Sequence, residues 1–276
     1  MLQMRNVKKD GLGGMRMDGS DARGRASSTR MLAALDLFSV ERPVISAMDI
    51  GAELSLPRAT TYRHLKTLCE AGLLLRLGNS DFCLGPRIVQ LDRQIQLSDP
   101  LIAASRAPMV ECLRTQGWDG MLLCSFVRDF VLCTHQEVRP GSEIQLKRAR
   151  GIPFPMFHGP ASLIIAAHLP IGRVRELYIR ALEEDGASAR ALGPDWDSAR
   201  KRLRAIKQRG FVVSQNEFQT GMTGVSAPIF DSKHGIVGSV SAVLGPAVTG
   251  QDEAKMGRGI LDCARTITDR LEKRIG

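Results

Sequence analysis

The stretch from Pro57 to Lys66 carries three cations, Arg58, Arg63 and Lys66, two threonine hydroxyls, Thr60 and Thr61, and the imidazole of His64, with no acidic residue among them. Such groups suit a duplex DNA surface: cations neutralise phosphates, and short or forked donors reach base edges in the major groove. Stepping the residues by 100° puts Thr60, Arg63, His64 and Thr67 on one side of a helix. Tyr62, Leu65 and Cys69 fall on the other, as an apolar back. Arg63 is then the candidate for a purine contact, with His64 beside it. Thr60 and Thr61 suit phosphates or a thymine methyl, Arg58 and Lys66 suit phosphates, and Arg76 farther on can reach the adjacent backbone. The competing reading is a solvated helix face in a protein-binding module.

A second group lies farther along. Gly159-Pro160 has the form of an N-cap followed by proline at the first helical position. The amides of Ala161 and Ser162 would then sit at the positive end of a helix dipole, which suits a carboxylate. Pro160 itself has no amide, which weakens such a site relative to alanine. Ser239 and Ser241 alternate along a strand-like run and share one face. Met156, Phe157, Met222 and Val243 offer an apolar wall. The ligand this predicts is a modest-sized, mostly apolar organic acid, aromatic acids included; the alternative is that these side chains pack a dry core.

Catalytic chemistry finds less support. His135, His158 and His168 with Cys124 and Cys133 suggest a hydrolase or a metal site, but the cysteines fall in apolar strand-like runs and two of the histidines flank a predicted helix. Glu183-Glu184-Asp185 precedes Gly186 and reads as a solvated helix end. Gly11-Leu12-Gly13-Gly14 has neither a strand before it nor an apolar helix after it, so it makes a poor phosphate loop. No serine elbow, Walker loop or HExxH motif occurs. The six cysteines form no CxxC pair and read as reduced, buried thiols. No catalytic residue, metal or cofactor is expected.

The elements that must position these groups follow from periodicity. Residues 1–28 lack it and read as a disordered basic arm. Met31, Leu32, Leu35 and Phe38 recur at helical spacing. Ser46 is a candidate N-cap for a short helix through Ala47, Ile50 and Leu54. Pro57 and Gly72 bound a third helix. Leu73–Leu77 and Phe82–Leu84 flank Gly78-Asn79-Ser80-Asp81 as a hairpin. Three helices and a hairpin within about 60 residues make a winged helix-turn-helix. Helical spacing resumes at Arg87, breaks at Ser98-Asp99-Pro100, and runs on to Gln116. Beyond Gly120 come strands at 121–127, 130–133, 143–147, 211–214, 223–230 and 235–243. Helices open at Gly159 and span 173–182, 197–208 and 254–274. Strand runs mixed with helices predict an α+β domain.

The 276 residues carry a formal net charge of +9. The first 30 hold seven basic against three acidic residues, whereas residues 31–90 balance at six each. Such an excess permits nucleic-acid binding without requiring it. No apolar run reaches the roughly 18–20 residues of a membrane span, and the N-terminus has no apolar core of a signal peptide, so a cytoplasmic protein without a membrane partner is expected.

The run Leu56-Pro57-Arg58-Ala59-Thr60-Thr61-Tyr62-Arg63-His64-Leu65-Lys66-Thr67-Leu68 resembles the Leu-Pro-Lys-Ser-Thr-x-x-Arg-Leu-Leu-x-x-Leu helix of the IclR family of bacterial regulators. Phe82-x-Leu84-Gly85 is similar to that family's wing. Gly151-Ile152-Pro153-Phe154-Pro155-Met156-Phe157, ahead of Ala167-x-Leu169-Pro170, resembles its Gly-x-x-x-Pro-Leu-His segment. Glu217-Phe218-Gln219-Thr220-Gly221 with Val225–Asp231 resembles its Glu-x-x-x-Gly…Val-Ala-Ala-Pro-Val segment. The resemblance implies an α+β chain with a winged helix-turn-helix at 29–86, a linker helix at 87–117 and a GAF-like α/β effector domain at 118–276. It further implies a homodimer or homotetramer on palindromic operator DNA, a small organic acid as effector, and no enzymatic activity. The chain departs from the pattern at Ser55, where a glycine is usual, at Gly159–Leu163, where Thr-Ala-x-Gly-Lys is frequent, at Gly224 in place of a cysteine, and at Ser214 in place of an aspartate. The last two positions join the expected effector site, and the departures point to a different ligand from that of the glyoxylate-type members. The alternative is a regulator whose C-terminal domain serves oligomerisation only.

Overall fold

A computed structural model describes residues 27–146, 149–184, 186–217, 220–246 and 252–275. The arm expected over residues 1–28 lies outside these, except for Ser27 and Ser28, which belong to the first helix; Ser27 Oγ reaches His64 Nε2 at 3.0 Å. The chain divides into two units, one ending at Leu97 and one beginning at Ser98.

In the first unit α1 (Ser27–Ala33) runs into a 3-10 turn, followed by β1 (Ile45–Ser46), α2 (Ala47–Glu53), α3 (Arg58–Glu70), β2 (Leu74–Leu77), β3 (Asp81–Leu84) and α4 (Arg87–Ser98). Ser46 caps α2 as expected, accepting the Asp49 amide at 3.1 Å. The strands form an antiparallel sheet in the order β1-β3-β2. Ala34, Phe38, Ile45, Ile50, Leu65, Leu68, Leu74 and Phe82 close the core. Two contacts admit only glycine. A methyl on Gly51 would lie 2.8 Å from Thr61 Oγ1, so at this crossing of α2 and α3 the Thr61 side chain takes the room a side chain at 51 would need. A methyl on Gly85 would lie 2.2 Å from the Gly72 carbonyl, where the wing returns against the end of α3.

The second unit begins with α5 (Pro100–Gln116), capped by Asp99, which accepts the Ile102 amide at 2.9 Å. Residues 87–117, expected as a linker, are thus two helices, and Ile102, Met109 and Leu113 of α5 belong to the core of this unit. There follow β4 (Gly120–Val127), β5 (Phe130–Val138), β6 (Pro153–Phe154), α6 (Pro160–His168), α7 (Ile171–Glu184), α8 (Ala187–Leu192), α9 (Trp196–Arg209), β7 (Val212–Gln215), β8 (Thr223–Phe230), β9 (Ile236–Leu244) and α10 (Glu253–Ile275). The sheet is antiparallel throughout, in the order β6-β5-β4-β9-β8-β7. Helices α5 and α10 cover one face, whose core includes Met121, Leu123, Val225, Ala227, Val240 and Ala242. Helix α6 lies on the other, with Leu122, Cys124 and Cys133 beneath it. The strand expected near residues 143–147 is not formed at 143–146, and Lys147 lies outside the described residues. The edge strand is instead Pro153–Phe154, a position where a proline without an amide is tolerated.

Ser55, in the turn between α2 and α3, adopts φ +51°, in the left-handed region that favours glycine. That conformation costs a side-chain-bearing residue about 1–2 kcal/mol, partly offset by the extra freedom glycine has when unfolded. Ser55→Gly is therefore expected to stabilise the chain by about 0.5–1 kcal/mol, read as a higher urea midpoint with an unchanged slope.

Candidate nucleic-acid interface and ligand cavity

Helix α3 spans the expected residues but turns a different arc inward. The buried residues are Thr61, His64, Leu65 and Leu68, a helical i, i+3, i+4, i+7 set. Two of the expected DNA-contacting residues, Thr61 and His64, are thereby corrected. Thr61 is 2% exposed, donates its hydroxyl to the Pro57 carbonyl at 3.2 Å, and fills the crossing at Gly51. His64 is 6% exposed and meets Ser27 Oγ. Burial, with Arg63 and Arg30 nearby, pushes the His64 imidazole below its ordinary pKa and favours the neutral form. Tyr62, expected on the apolar back, is 37% exposed, and the Arg58 guanidinium lies 5.9 Å from its ring centroid. The outward face is therefore Arg58, Tyr62, Arg63, Lys66 and Thr67, with Thr60 half-buried at its margin. Lys66 lies 3.8 Å from Glu70, both highly exposed. Arg76, on the wing strand β2, is exposed and donates to the Asn79 carbonyl.

In the second unit a cavity opens between the start of α6 and the sheet, with about 630 Å³ of empty space including its solvent-open mouth. Seven expected residues line it: Pro160, Ala161, Ser214, Met222, Gly224, Ser241 and Val243. Five others do not. Phe157 is buried edge-on against Tyr178, and Met156 packs in the same core. Gly159 caps the helix at φ +82°, a conformation suited to glycine. Ser239 donates to the Ala161 carbonyl at 3.2 Å and so holds the first turn of α6 from below. Ser162 is buried at the third helical position, its hydroxyl without a partner among the described residues. Leu122, Gln145, Leu146, Phe154, Glu217, Thr223 and Ala242 also line it, without having been expected from the sequence pattern. Phe154 was within reach, since its pairing with Val131 places it inward. Gln145 and Leu146 lie in an irregular segment with no periodicity to follow.

That segment is fixed by Asp119, just before β4. Its carboxylate accepts from Arg139 Nη2 at 2.7 Å, Ser142 Oγ at 2.9 Å and the Gly245 amide at 2.8 Å. Burial pushes the Asp119 carboxyl up, but the Gly245 amide, Arg139 and Ser142 together outweigh it and hold the group below its ordinary range. The chain leaving Ser142 then lays Leu146 over Gly120, where a methyl would meet Leu146 Cδ2 at 3.2 Å.

No side chain caps α6, whose first internal bond runs from the Leu163 amide to the Gly159 carbonyl at 3.1 Å. The amides of Ala161 and Ser162 have no carbonyl ahead of them within the helix, so the start of α6 offers donors and a positive dipole end. Two of the sequence departures meet here. A methyl on Gly224 would lie 2.9 Å from Pro160 Cγ and 3.5 Å from Ser214 Oγ, so the proline ring takes the room a larger residue at 224 would need.

The residues that suggested catalysis have other partners. His135 Nε2 meets Glu137 at 2.8 Å, His158 Nε2 donates to the Glu217 carbonyl at 3.3 Å, and His168 Nδ1 donates to the Ile164 carbonyl at 2.9 Å. Among the described residues no group of three or more His, Cys, Asp or Glu side chains could hold a metal, and no helix is long and apolar enough to cross a membrane.

Comparison with known proteins gives two family models. One, described as the IclR helix-turn-helix domain, matches residues 27–78; the other, Bacterial transcriptional regulator IclR C-terminal, matches residues 102–269. The chain is 26% identical over 251 residues to the protein named Probable HTH-type transcriptional regulator ArcR of Halobacterium salinarum, covering 88% of this chain and 94% of that one. Among solved structures it is similar in fold to an IclR family transcriptional regulator from Brucella abortus, with TM-score 0.74, 15% identity, and coverage of 95% of this chain and 99% of that one. It is also similar in fold to an IclR homologue from Microbacterium hydrocarbonoxydans complexed with 4-hydroxybenzoate, with TM-score 0.68, 20% identity, and coverage of 89% and 99%.

The contact between Gly224 and Pro160 gives a direct test. Gly224→Ala is expected to destabilise the chain by about 1–3 kcal/mol through overpacking. Pro160→Ala in the same chain should recover most of that loss, and a double-mutant cycle by chemical denaturation measures the coupling.

Proposed function

Because the chain belongs to the IclR family of transcriptional regulators, with family models over residues 27–78 and 102–269, we propose that it binds palindromic operator DNA as a homodimer or homotetramer and that a small organic acid in its C-terminal cavity alters that binding. Its relatives are named as transcriptional regulators rather than enzymes, and this chain is a regulator of the same family. On the DNA side, Arg63 reads a purine, Arg58 and Lys66 neutralise phosphates, Thr60 contacts backbone or a thymine methyl, and Arg76 meets the adjacent phosphates. Tyr62 joins this face, while Thr61 and His64 support it from within. Self-association is supported by α4, where Val89 is 71%, Ile95 51% and Leu97 61% exposed.

The sensing part rests on one observation. The cavity brings amides without intrahelical partners at the start of α6 together with the apolar side chains of Leu122, Leu146, Phe154, Met222 and Val243. An acid group at the amides and an apolar body against those side chains is the occupant this lining favours. The 4-hydroxybenzoate in the Microbacterium hydrocarbonoxydans neighbour supports an aromatic acid.

Two measurements check the proposal. Arg63→Ala is expected to cost about 1–3 kcal/mol on the cognate duplex and to relax specificity, whereas Lys66→Ala should weaken all duplexes alike and lower the salt slope by about one. Fluorescence anisotropy at several salt concentrations reads both, and an equal loss on cognate and random duplex would remove the Arg63 assignment. A thermal-shift screen with small carboxylic acids should find one that adds about 2.7 kcal/mol at one hundred times its Kd. That acid should also change operator affinity; a C-terminal unit serving assembly alone leaves affinity indifferent to every acid.

A further inference from the structure

Among its described lining residues the cavity has one acidic side chain, Glu217, and no lysine, arginine or histidine. Glu217 Oε2 is shielded from solvent and has no hydrogen-bond partner among the described residues. A carboxylate oxygen in that position is costly unless something donates to it. The chain holds the residue there by a tight loop: Asn216 at φ +59° accepts the Gly221 amide at 2.6 Å through its side chain, and its own amide donates to the Met222 carbonyl at 2.9 Å. His158 adds a third tie, donating to the Glu217 backbone carbonyl. On the sheet floor, Ser241 is paired with Ser226 at 2.6 Å.

We infer that Glu217 is a specificity-determining residue, and that the effector is an acid carrying a second polar group, an O–H or N–H donor that binds the Glu217 carboxylate. This rests on the reading of the cavity as the sensing site and narrows its ligand class. A plain acid satisfies the amides of α6 but leaves Glu217 Oε2 bare and brings a second negative charge beside it, with no cation among the described lining residues. A hydroxy or amino acid satisfies both ends. The α6 amides select for the acid group; Glu217 selects among acids.

The test is calorimetric titration of the full chain with matched pairs: benzoate against its hydroxy and amino isomers, phenylacetate against 4-hydroxyphenylacetate, and butyrate against its hydroxy forms. The wild-type chain is expected to bind at least one donor-bearing acid about ten-fold or more tighter than its plain partner, the strength of a hydrogen bond to a charged group. In Glu217→Gln that preference should fall to about three-fold or less, since the neutral amide keeps the shape but weakens the acceptor. Plain acids binding as tightly as their donor-bearing partners, or an undiminished preference in Glu217→Gln, would overturn the inference and leave the sensing reading standing. If no acid of either kind binds, the sensing reading falls and this inference with it. Should the variant fail to fold, as judged by circular dichroism, the wild-type ratios alone decide.

Discussion

The period-two alternation of the central strands is the constraint on which the C-terminal unit depends. Strands β4, β8 and β9 are covered on both faces, so each residue must suit one of two interiors. Val225, Ala227 and Ile229 of β8, with Val240, Ala242 and Leu244 of β9, face the core shared with α5 and α10. Ser226, Ser239 and Ser241 fall between them and lie beneath α6. A slip of one residue in both strands would send three hydroxyls into a hydrocarbon core and six apolar side chains to the α6 face. The register is set instead by Ser226 opposite Ser241 and Leu122 opposite Ser241. Pro228 fits this plan because β7 pairs only as far as Ser226, leaving no neighbour on that side to ask for its missing amide.

The same alternation explains why the cavity is asymmetric in chemistry. Its floor is sheet, with small residues at Gly224 and Ser241; its roof is the uncapped start of α6; its walls are Leu146 and Phe154. Small floor residues leave the volume, and Pro160 occupies part of it. The Asp119 cluster keeps the walls upright: one carboxylate joins the start of β4, the segment after β5 and the residue following β9. Loss of that carboxylate would leave Arg139, Ser142 and the Gly245 amide without their shared acceptor.

Much of this was legible in the order of residues, and the exceptions have physical causes. The span of α3 followed from Pro57 and Gly72, and the cap at Ser46 from its side chain, because these are local rules. The inward arc of α3 did not follow, because Thr61 and His64 are polar and are buried by partners distant in sequence: Gly51 by lacking a side chain, and Ser27 by hydrogen bonding across 37 positions. Tyr62 was placed inside on hydrophobicity alone, although Arg58 one turn earlier gives its ring a partner at the surface. In the cavity, Ala161 and Ser241 could be found from helix-start and strand periodicity. Glu217 could not, since its role comes from the Asn216 turn and not from any repeating pattern. Met156 and Phe157 were chosen for their apolar character, and that character is what drew them into the core rather than the cavity wall.

The Ser226–Ser241 contact, at 2.6 Å with either oxygen able to donate, has a consequence for selectivity. Rotating the two protons in concert turns the Ser241 oxygen from proton-presenting to lone-pair-presenting without moving a heavy atom. The floor of the cavity is thus an ambidextrous partner that greets carbonyls and alcohols alike. Discrimination falls to the groups whose polarity cannot be reversed, the backbone N–H groups overhead and the carboxylate at the side.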